Sequence, residues 1–406
     1  MRIGLLNRSD IDGGAGIVAL RLYSSLRKRI DVKYLVGIKH RNNDSILIHY
    51  KSDLFAKFRN LIERKIQKER SGKFPFSLCI SPFPLNRLLK HHKVDVAHLH
   101  WIGAGFVSIN SLSKLDIPIV WTMHDAWSFT GGCHITYDCK YFIDVCRKCP
   151  QLNSSKESDL STQLYFNKLR SYNNIKNITF VSPSKWLANK AKESSLLQNK
   201  NIAVIPNGID TIKFCPNDGN GFRANLGIKP DIKIILFGAV YATSDKNKGY
   251  EQLIAAIDLL KDSKFEIMVF GSQNIETKEI SGKTTYFLGR IWEEEIMAKI
   301  YSAADLTVVP SLSENLSTVI MESMSCGTPV VAFDIGGNPE LIDHKQNGYL
   351  AKPYEINDLA DGIEWTLFNQ EIQNLNENAR KKIVQSFDIE DVADKYIELY
   401  KSVHND

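Results

Sequence analysis

The 406-residue sequence lacks any uninterrupted apolar run of the roughly 18 to 20 residues that a membrane-spanning helix needs. It also has no internal repeats and no low-complexity tracts. Its apolar start, residues 1–6, is broken at once by Asn7 and Arg8, which is typical of a first strand and not of a secretory signal. These absences argue against a transmembrane or secreted protein, and we therefore expect a cytosolic chain.

Cysteine is also scarce, with seven residues in the whole chain. In a reducing compartment such cysteines are free thiols or metal ligands more often than disulfides. The apolar fraction of 43% and the charged fraction of 24% are those of an ordinary folded protein, which excludes a disordered chain. The length suits two domains of roughly 150 to 200 residues each.

The small net charge of +5 conceals two halves of opposite sign. Residues 1–208 hold 32 lysines and arginines against 15 aspartates and glutamates, a net charge of +17. The remaining residues hold 19 against 31, a net charge of −12. The basic half indicates an anionic partner, such as nucleic acid, a membrane surface or a phosphorylated substrate, or else charge spread for solubility.

Short β-branched runs alternate with helical patterns along the chain, which predicts the α/β class with two doubly wound, Rossmann-like domains. Strands are predicted at 2–6, 32–36, 94–98, 117–122, 177–181, 203–205, 233–237, 266–270, 284–288, 306–309 and 329–332. Turn residues at 206–210 mark a crossing between domains. We predict a first domain over 1–208, to which a terminal helix over 386–406 returns, and a second domain over 209–385.

Ligands of open α/β sheets bind beyond the carboxyl ends of the strands, so chemistry is expected in the loops that follow them. The first such loop, residues 13–16, reads Gly-Gly-Ala-Gly ahead of a predicted helix. These glycines allow backbone amides to approach a phosphate, although a tight strand-to-helix turn explains them equally well.

A second loop, residues 313–318, reads Ser-Glu-Asn-Leu-Ser-Thr and enters a predicted helix that carries Glu322. A helix N-terminus between Glu314 and Glu322 suits a diphosphate, with hydroxyls of a sugar and of a ribose bound by the two carboxylates. Helix capping alone explains Glu314 but not the whole string.

A third candidate is His124, which a predicted strand delivers to the carboxyl edge beside Asp125. A histidine at such a strand end favours function, although a lone histidine is commonly structural. His98 and His100 end the preceding strand, and they either line an acceptor pocket or serve the core.

Four of the seven cysteines fall within residues 133–149, next to His134. They are Cys133, Cys139, Cys146 and Cys149, and the last two form a Cys-x2-Cys pair. Clustered thiolates favour a tetrahedral structural zinc site, which would stiffen this loop without doing chemistry. Free thiols and disulfides are the alternatives, because the second Cys-x2-Cys pair of a zinc ribbon is missing.

Residues 52–73 predict a basic amphipathic helix. It either docks on an anionic membrane surface or buries its apolar stripe in its own domain. Nucleic-acid binding is disfavoured, because aromatic residues do not interleave with the basic ones as a stacking platform requires.

Several of these strings together resemble retaining glycosyltransferases of family four, whose GT-B fold has two Rossmann-like domains facing across a cleft. The resemblance rests on Glu-x7-Glu at 314–322, Pro-Asn-Gly-Ile-Asp at 206–210 with Phe214 downstream, Lys248-Gly249 after a Gly-ended strand and the glycine-rich loop. It covers nearly the whole chain, and the motifs of the second half are the more specific.

The resemblance assigns Glu314 to hydroxyls of the transferred sugar, Glu322 to the ribose and Lys248 to the departing diphosphate. It implies that His124 contacts the donor sugar near the reacting carbon. It further implies backbone contacts to the donor from Gly14, Gly16, Asn315, Leu316 and Ser317.

One position departs from the family pattern, because Ala239 stands where the family commonly has an arginine after the closing glycine of the strand. Lys246 or Arg290 is expected to replace the missing charge on the diphosphate. The resemblance implies no catalytic divalent metal and no protein nucleophile.

The resemblance thus implies retaining transfer from a UDP- or GDP-sugar to a lipid-linked saccharide acceptor in bacterial capsule, O-antigen or exopolysaccharide synthesis. Such an enzyme would be cytoplasmic and peripheral on the inner face of the cell membrane. Two rivals stay open. One is a nucleotide-sugar epimerase on the same scaffold, and the other is a sugar-nucleotide-binding protein without turnover, which the missing arginine favours.

Overall fold

The computed structural model describes residues 1–40, 46–48, 76–78, 81, 84–261, 263–368 and 371–405. The chain divides into two compact units, one of Met1–Pro206 with Glu390–Asp406 and the other of Asn207–Ile389. The amphipathic helix predicted over 52–73 lies outside the described residues. In the described part of the chain, no helix is long and apolar enough to cross a membrane.

The first unit is built on a sheet of seven parallel strands in the order β3-β2-β1-β4-β5-β6-β7. These strands are β1 (Arg2–Ser9), β2 (Asp31–Ile38), β3 (Ile46–Ile48), β4 (Val96–Leu99), β5 (Ile119–Thr122), β6 (Ile178–Ser182) and β7 (Asn201–Val204). The helices around it are α1 (Gly13–Leu26), α2 (Leu85–His91), α3 (Ile109–Leu112), α4 (Leu160–Asn174), α5 (Lys185–Glu193) and the last helix of the chain, α13 (Ile389–Asn405). Short 3-10 helices span Ala126–Phe129, Tyr141–Ile143 and Pro150–Leu152.

Burial on both faces explains the central strands of this sheet. All four residues of β4 and all four of β5 are buried, as expected for parallel strands that helices cover on both sides. Side-chain caps fix where the helices begin: Asp159 accepts hydrogen bonds from two backbone amides of α4, and Ser184 accepts one from α5. The last helix, α13, is held by Glu390, which accepts a hydrogen bond from Ser25 at 2.9 Å.

The second unit is built on another sheet of seven strands, in the order β10-β11-β9-β8-β12-β13-β14. These strands are β8 (Lys233–Gly238), β9 (Phe265–Phe270), β10 (Ile275–Ile280), β11 (Lys283–Gly289), β12 (Leu306–Val309), β13 (Val330–Phe333) and β14 (Gly348–Ala351). Its helices are α6 (Gly219–Asn225), α7 (Tyr250–Leu259), α8 (Glu294–Ser302), α9 (Thr318–Ser325), α10 (Asn338–Leu341), α11 (Ile356–Leu367) and α12 (Ile372–Ser386), and a 3-10 turn spans Lys246–Lys248.

The α/β class with doubly wound sheets is confirmed, but three strands were not predicted. They are β3, β10 and β14. Five of the six residues of β10 are exposed, so this edge strand has no apolar pattern that a sequence reading could detect. It pairs with β11 in antiparallel fashion, so the second sheet is not wholly parallel as expected.

Each sheet has one point at which the strand order reverses. In the first sheet the chain leaves β1 toward β2 and later returns to place β4 on the other side of β1. In the second it leaves β8 toward β9 and returns to place β12 on the other side of β8. Loops that diverge at such points open a crevice at the carboxyl edge, where ligands of this class of fold bind.

Candidate functional site

The crevice of the second unit is flanked by Lys248, in the loop after β8, and by Glu314, in the loop after β12. The Lys248 ammonium nitrogen lies 3.4 Å from an oxygen of the Glu314 carboxylate. Their side chains are 26% and 16% exposed, so the pair is reachable from solvent. Two predicted residues that are far apart in sequence therefore meet at the edge where a ligand is expected.

Backbone contacts bring these two loops together. Asn247 accepts a hydrogen bond at 2.8 Å from the backbone amide of Leu312, and its side-chain amide donates one at 2.9 Å to the carbonyl oxygen of Ser313. Gly249 has a φ of +78°, and a Cβ there would collide with the carbonyl oxygen of Pro310. Position 249 thus requires glycine, which explains why Lys248 is followed by one.

The residues that follow Glu314 lead into α9. Ser317 is the N-cap of this helix, and its hydroxyl accepts from the backbone amide of Ile320. The side chain of Leu316 is buried, and its carbonyl oxygen accepts from the side-chain amide of Asn207 at 3.3 Å. Asn315, Leu316 and Ser317 therefore stand at the N-terminus of α9, where the helix dipole favours negative charge.

Glu322 lies within α9 and is 6% exposed. Its carboxylate accepts a hydrogen bond at 2.8 Å from the hydroxyl of Tyr301 in α8. No motif in the sequence points to Tyr301. A buried carboxylate with a fixed partner is well oriented, because it has little freedom to rotate.

The two candidates for replacing the missing arginine are placed differently. Lys246 is 68% exposed and pairs with Glu251 at 3.3 Å on the outside of the loop. The guanidinium carbon of Arg290 stacks over the ring of Tyr241 at 4.6 Å, in the loop that follows β8 and Ala239. Arg290 is thus fixed to the loop that carries Lys248, whereas Lys246 is directed to a surface carboxylate.

In the first unit the glycines predicted in a loop instead form the first turn of α1, because this helix begins at Gly13, with three residues between it and β1. A Cβ on Gly16 would come within 2.9 Å of the backbone of Ile11, so close packing of this first turn requires the glycine. A Cβ on Gly14 would meet nothing within 4 Å. The turn explanation accounts for Gly16, and Gly14 is open to a ligand.

His124 follows β5 and is hydrogen-bonded to His100, with 2.9 Å between Nε2 of His124 and Nδ1 of His100. Burial lowers the pKa of His124 to about 4, against a smaller opposite effect of Asp125. Burial also lowers the pKa of His100 well below its ordinary value. Both rings are therefore neutral near pH 7, so His124 offers hydrogen bonds and not charge.

His98 belongs to the interior of the first unit. It is completely buried, with Nδ1 at 2.6 Å from the hydroxyl of Tyr400 and Nε2 at 2.8 Å from that of Thr122. Thr122 is in turn 2.8 Å from the hydroxyl of Tyr396. Tyr396 and Tyr400 lie in α13, so His98 connects the sheet to the last helix, and the core interpretation of this histidine is the correct one.

Asp125 organises the turn after His124. It accepts hydrogen bonds from the backbone amide of Trp127 at 2.8 Å, from the indole of Trp101 at 3.1 Å and from His134 at 2.6 Å. Burial opposes ionisation, but His134 and these hydrogen bonds hold the pKa of Asp125 below its usual range. The Nε2 atom of His134 lies 2.8 Å from the hydroxyl of Ser77.

The four clustered cysteines are free thiols that line one small cavity. Burial raises the pKa of Cys133 and of Cys146 to about 12. Among the described residues, no group of three or more His, Cys, Asp or Glu side chains is arranged so that it could hold a metal ion.

Two family models match consecutive parts of the chain. The model for Glycosyltransferase Family 4 matches residues 12–213, and the model for Glycosyl transferases group 1 matches residues 221–382. The chain belongs to the family 4, group 1 glycosyltransferases.

Relatives of this glycosyltransferase include two proteins of Escherichia coli. One is a UDP-Gal:alpha-D-GlcNAc-diphosphoundecaprenol alpha-1,3-galactosyltransferase, 27% identical over 78% of this chain and 77% of the relative. The other is a putative colanic acid biosynthesis glycosyl transferase from strain K12, 24% identical over 99% of this chain and 100% of the relative.

A solved structure extends the comparison to the fold. The crystal structure of Anabaena HepE in complex with UDP-glucose matches with a TM-score of 0.66 and 18% sequence identity, over 99% of this chain and 100% of that one. The glycosyltransferase therefore has the GT-B fold, as the resemblance implied.

Proposed function

We propose that this glycosyltransferase moves a sugar from a nucleoside diphosphate sugar to a saccharide hydroxyl with retention of anomeric configuration. The observation that carries the proposal is the meeting of Lys248 and Glu314 at the strand-order reversal of the second sheet, beside the N-terminus of α9. A cation and a helix terminus suit a diphosphate, and a carboxylate suits sugar hydroxyls.

The first requirement of the reaction is to stabilise the departing diphosphate. The bond between the anomeric carbon and the phosphate oxygen breaks through a state in which negative charge grows on the phosphate. Lys248 is proposed to neutralise that charge together with the N-terminus of α9. In the structure Lys248 is held by Glu314, so donor binding would exchange a carboxylate partner for a phosphate.

The second requirement is to hold the sugar and the nucleoside in place. Glu314 would accept hydrogen bonds from hydroxyls of the transferred sugar, and Glu322, oriented by Tyr301, would accept them from the ribose. His124 would bond the sugar near the reacting carbon in its neutral form. Positioning of this kind contributes to catalysis without any covalent intermediate with the protein.

Retention follows when the acceptor hydroxyl attacks from the face that the diphosphate leaves. The new glycosidic bond forms as the bond to phosphate breaks, and the acceptor proton passes to an oxygen of the departing diphosphate. No side chain is assigned as a nucleophile, and no divalent metal is assigned a role in this step.

The acceptor is proposed to be lipid-linked, and the pathway to be bacterial surface polysaccharide synthesis. The support is the net charge of +17 over residues 1–208 and the diphosphoundecaprenol acceptor in the name of one relative. UDP-sugars are favoured over GDP-sugars as donors because that relative's name contains UDP-Gal and HepE binds UDP-glucose.

The test of the reaction is donor consumption, measured for a panel of UDP- and GDP-sugars with and without a membrane extract. Transfer predicts release of nucleoside diphosphate that depends on the extract, and NMR of the product reports the anomeric configuration. An altered free nucleotide sugar without extract would instead support an epimerase. Binding of a donor without turnover under all conditions would instead support a sugar-nucleotide-binding protein.

Membrane association is tested separately by flotation with vesicles that contain anionic lipid. Electrostatic docking predicts flotation at low ionic strength and release by salt. Absence of flotation at low ionic strength would refute the peripheral location without affecting the assignment of the reaction.

A further inference from the structure

The loop that follows His124 gathers four cysteines around one cavity of about 20 Å³. Cys133, Cys139, Cys146 and Cys149 all line it, although 16 positions separate the first from the last. The fold therefore assembles four thiols that the sequence spaces unevenly.

The four thiols line the same cavity, and those of Cys146 and Cys149 are buried. A pair of cysteines that served only to fill the core would not require two further thiols at the same place.

A backbone amide points at one of the sulfur atoms. The amide of Gly131 donates to Sγ of Cys146 at 3.1 Å. A Cβ on Gly131 would collide with the carbonyl oxygen of Ser161, so this close approach requires glycine. Such donors stabilise a thiolate more than a neutral thiol, because hydrogen bonds to ionised groups are the stronger ones.

Positive charge also borders the cavity. Lys168 is 2% exposed, donates to the carbonyl oxygen of Thr130 at 2.9 Å and interacts electrostatically with Cys146. Arg147 lines the cavity itself. Four thiolates around one divalent cation carry a net negative charge, part of which Lys168 would offset, whereas Arg147 is already paired with Asp144 and Glu157.

His134 does not belong to the set, although it follows Cys133 directly. Both of its ring nitrogens have partners, since Nδ1 lies 2.6 Å from Asp125 and Nε2 lies 2.8 Å from Ser77. The ligands on offer are therefore four sulfur atoms and no imidazole, the set that structural zinc sites use.

We propose that Cys133, Cys139, Cys146 and Cys149 bind one structural zinc ion. The thiols surround the cavity but are not arranged to hold an ion as they stand. Binding would require the side chains to rotate about χ1 toward the ion, which moves each sulfur between staggered positions. Each ligand then loses its proton to solvent.

The zinc ion would hold the loop that fixes His124. From Cys133 the chain passes to His134, which bonds Asp125, and Asp125 neighbours His124. The ion makes no contact with the reacting atoms, so its role is to keep this turn in place. The proposal does not depend on the identity of the donor or the acceptor.

The experiment measures zinc in the purified full-length chain after dialysis against a metal-free buffer. We expect about one equivalent, with the Cys139→Ser and Cys149→Ser variants losing it. Cys215→Ser is the matched control, because this free cysteine lies in the second unit and outside the cluster. Zinc retained by both cluster variants, or lost equally by the control, would overturn the proposal.

A second measurement uses the wild-type chain, so it does not depend on whether the cysteine variants fold. In the wild-type chain, addition of a strong chelator should make four further thiols reactive toward a thiol reagent and lower the Tm. Cobalt added in place of zinc should give the visible absorption of a tetrahedral thiolate complex. Zinc-free protein with four reactive thiols, or with disulfides in this loop by mass spectrometry, would refute the site.

Discussion

At the carboxyl edge of the second sheet a lysine and a glutamate form a partly exposed ion pair, whereas at that of the first sheet three histidines are neutral and two of them are buried. Lys248 and Glu314 keep 26% and 16% of their side chains exposed. His98 and His100 are at most 1% exposed, and their ring centroids lie 4.3 Å apart with the ring planes tilted by 39°. This difference in charge and exposure determines how each edge can act on a ligand.

An exposed ion pair can exchange its partner for a ligand, because solvent screens both charges and the cost of separating them is small. A buried chain of neutral hydrogen bonds cannot rearrange so cheaply, because each orphaned polar group would cost its full desolvation. The second edge is thus suited to bind and release an anion, and the first edge is suited to hold a side chain in one orientation.

The carboxyl edge of the second sheet, with Lys248 and Glu314, is called the ionic edge below. Its sharpest test is the Lys248→Ala variant. Loss of the cation that faces the departing diphosphate should lower kcat by about 10²- to 10³-fold, as for removal of one group that stabilises developing charge. Turnover of the best donor measures this. The control is Lys246→Ala, which removes a surface partner of Glu251 and should retain activity.

Glu314→Gln belongs to the same test, because it removes the charge of the partner while keeping its shape. It should also lose most activity while the fold is retained, as judged by circular dichroism. Near-normal turnover in both Lys248→Ala and Glu314→Gln would show that the second edge is not the place of reaction.

The carboxyl edge of the first sheet, with its neutral histidines, is called the neutral edge below. Lowering the pH tests it. Burial lowers the pKa of His98 to about 3 and that of His124 to about 4, whereas a histidine in the unfolded chain titrates near 6.5. Between these values the unfolded chain binds more protons than the folded one, so the free energy of unfolding falls as the pH drops from 6.5 toward 4. We expect a loss on the order of 3 kcal/mol for each of these two histidines, measured by urea denaturation.

Other groups also titrate between pH 6.5 and 4. The change of the free energy of unfolding with pH must therefore be compared between the wild type and a variant. His98→Gln removes one of the three histidines whose pKa is lowered and should flatten the dependence of the free energy of unfolding on pH between 6.5 and 4, whatever the stability of the variant. Equal slopes for the variant and the wild type would mean that the histidines are not the source of the acid sensitivity.

The missing arginine at Ala239 allows a further test of the ionic edge. If Arg290 supplies the charge, Arg290→Ala should raise KM for the donor about tenfold, the effect of one charge-assisted hydrogen bond. Isothermal titration with nucleoside diphosphate checks the same loss without turnover. A larger effect of Lys246→Ala than of Arg290→Ala would reverse the assignment.

The residues of the ionic edge were easier to predict from the sequence than those of the neutral edge, because they lie in short local motifs. Lys248 and Glu314 stand in short strings whose glycines, caps and carboxylates have a recognisable spacing, and the parallel topology then brings the two strings together. The partner of Lys246 and the stacking of Arg290 on Tyr241 depend on loop conformation, which spacing does not specify.

The neutral edge depends on contacts between distant segments. His98 bonds Tyr400 across 302 positions, and Thr122 bonds Tyr396 across 274. The signal that could have found them is the pair of tyrosines four positions apart in the last helix, facing one side of it. Nothing in the sequence around His98 or Thr122 points to that helix.

The smallest expected effect concerns Glu322, the one acidic residue of the second unit's candidate site that is buried as the histidines are. Tyr301→Phe removes the hydroxyl that donates to this carboxylate at 2.8 Å and leaves the ring in place. Stability should fall by about 1 kcal/mol, and KM for the donor should rise a few-fold while kcat stays, because ribose binding lies away from the reacting carbon. Donor kinetics and urea denaturation measure the two effects. A fall in kcat with unchanged KM would instead place Glu322 at the bond that breaks.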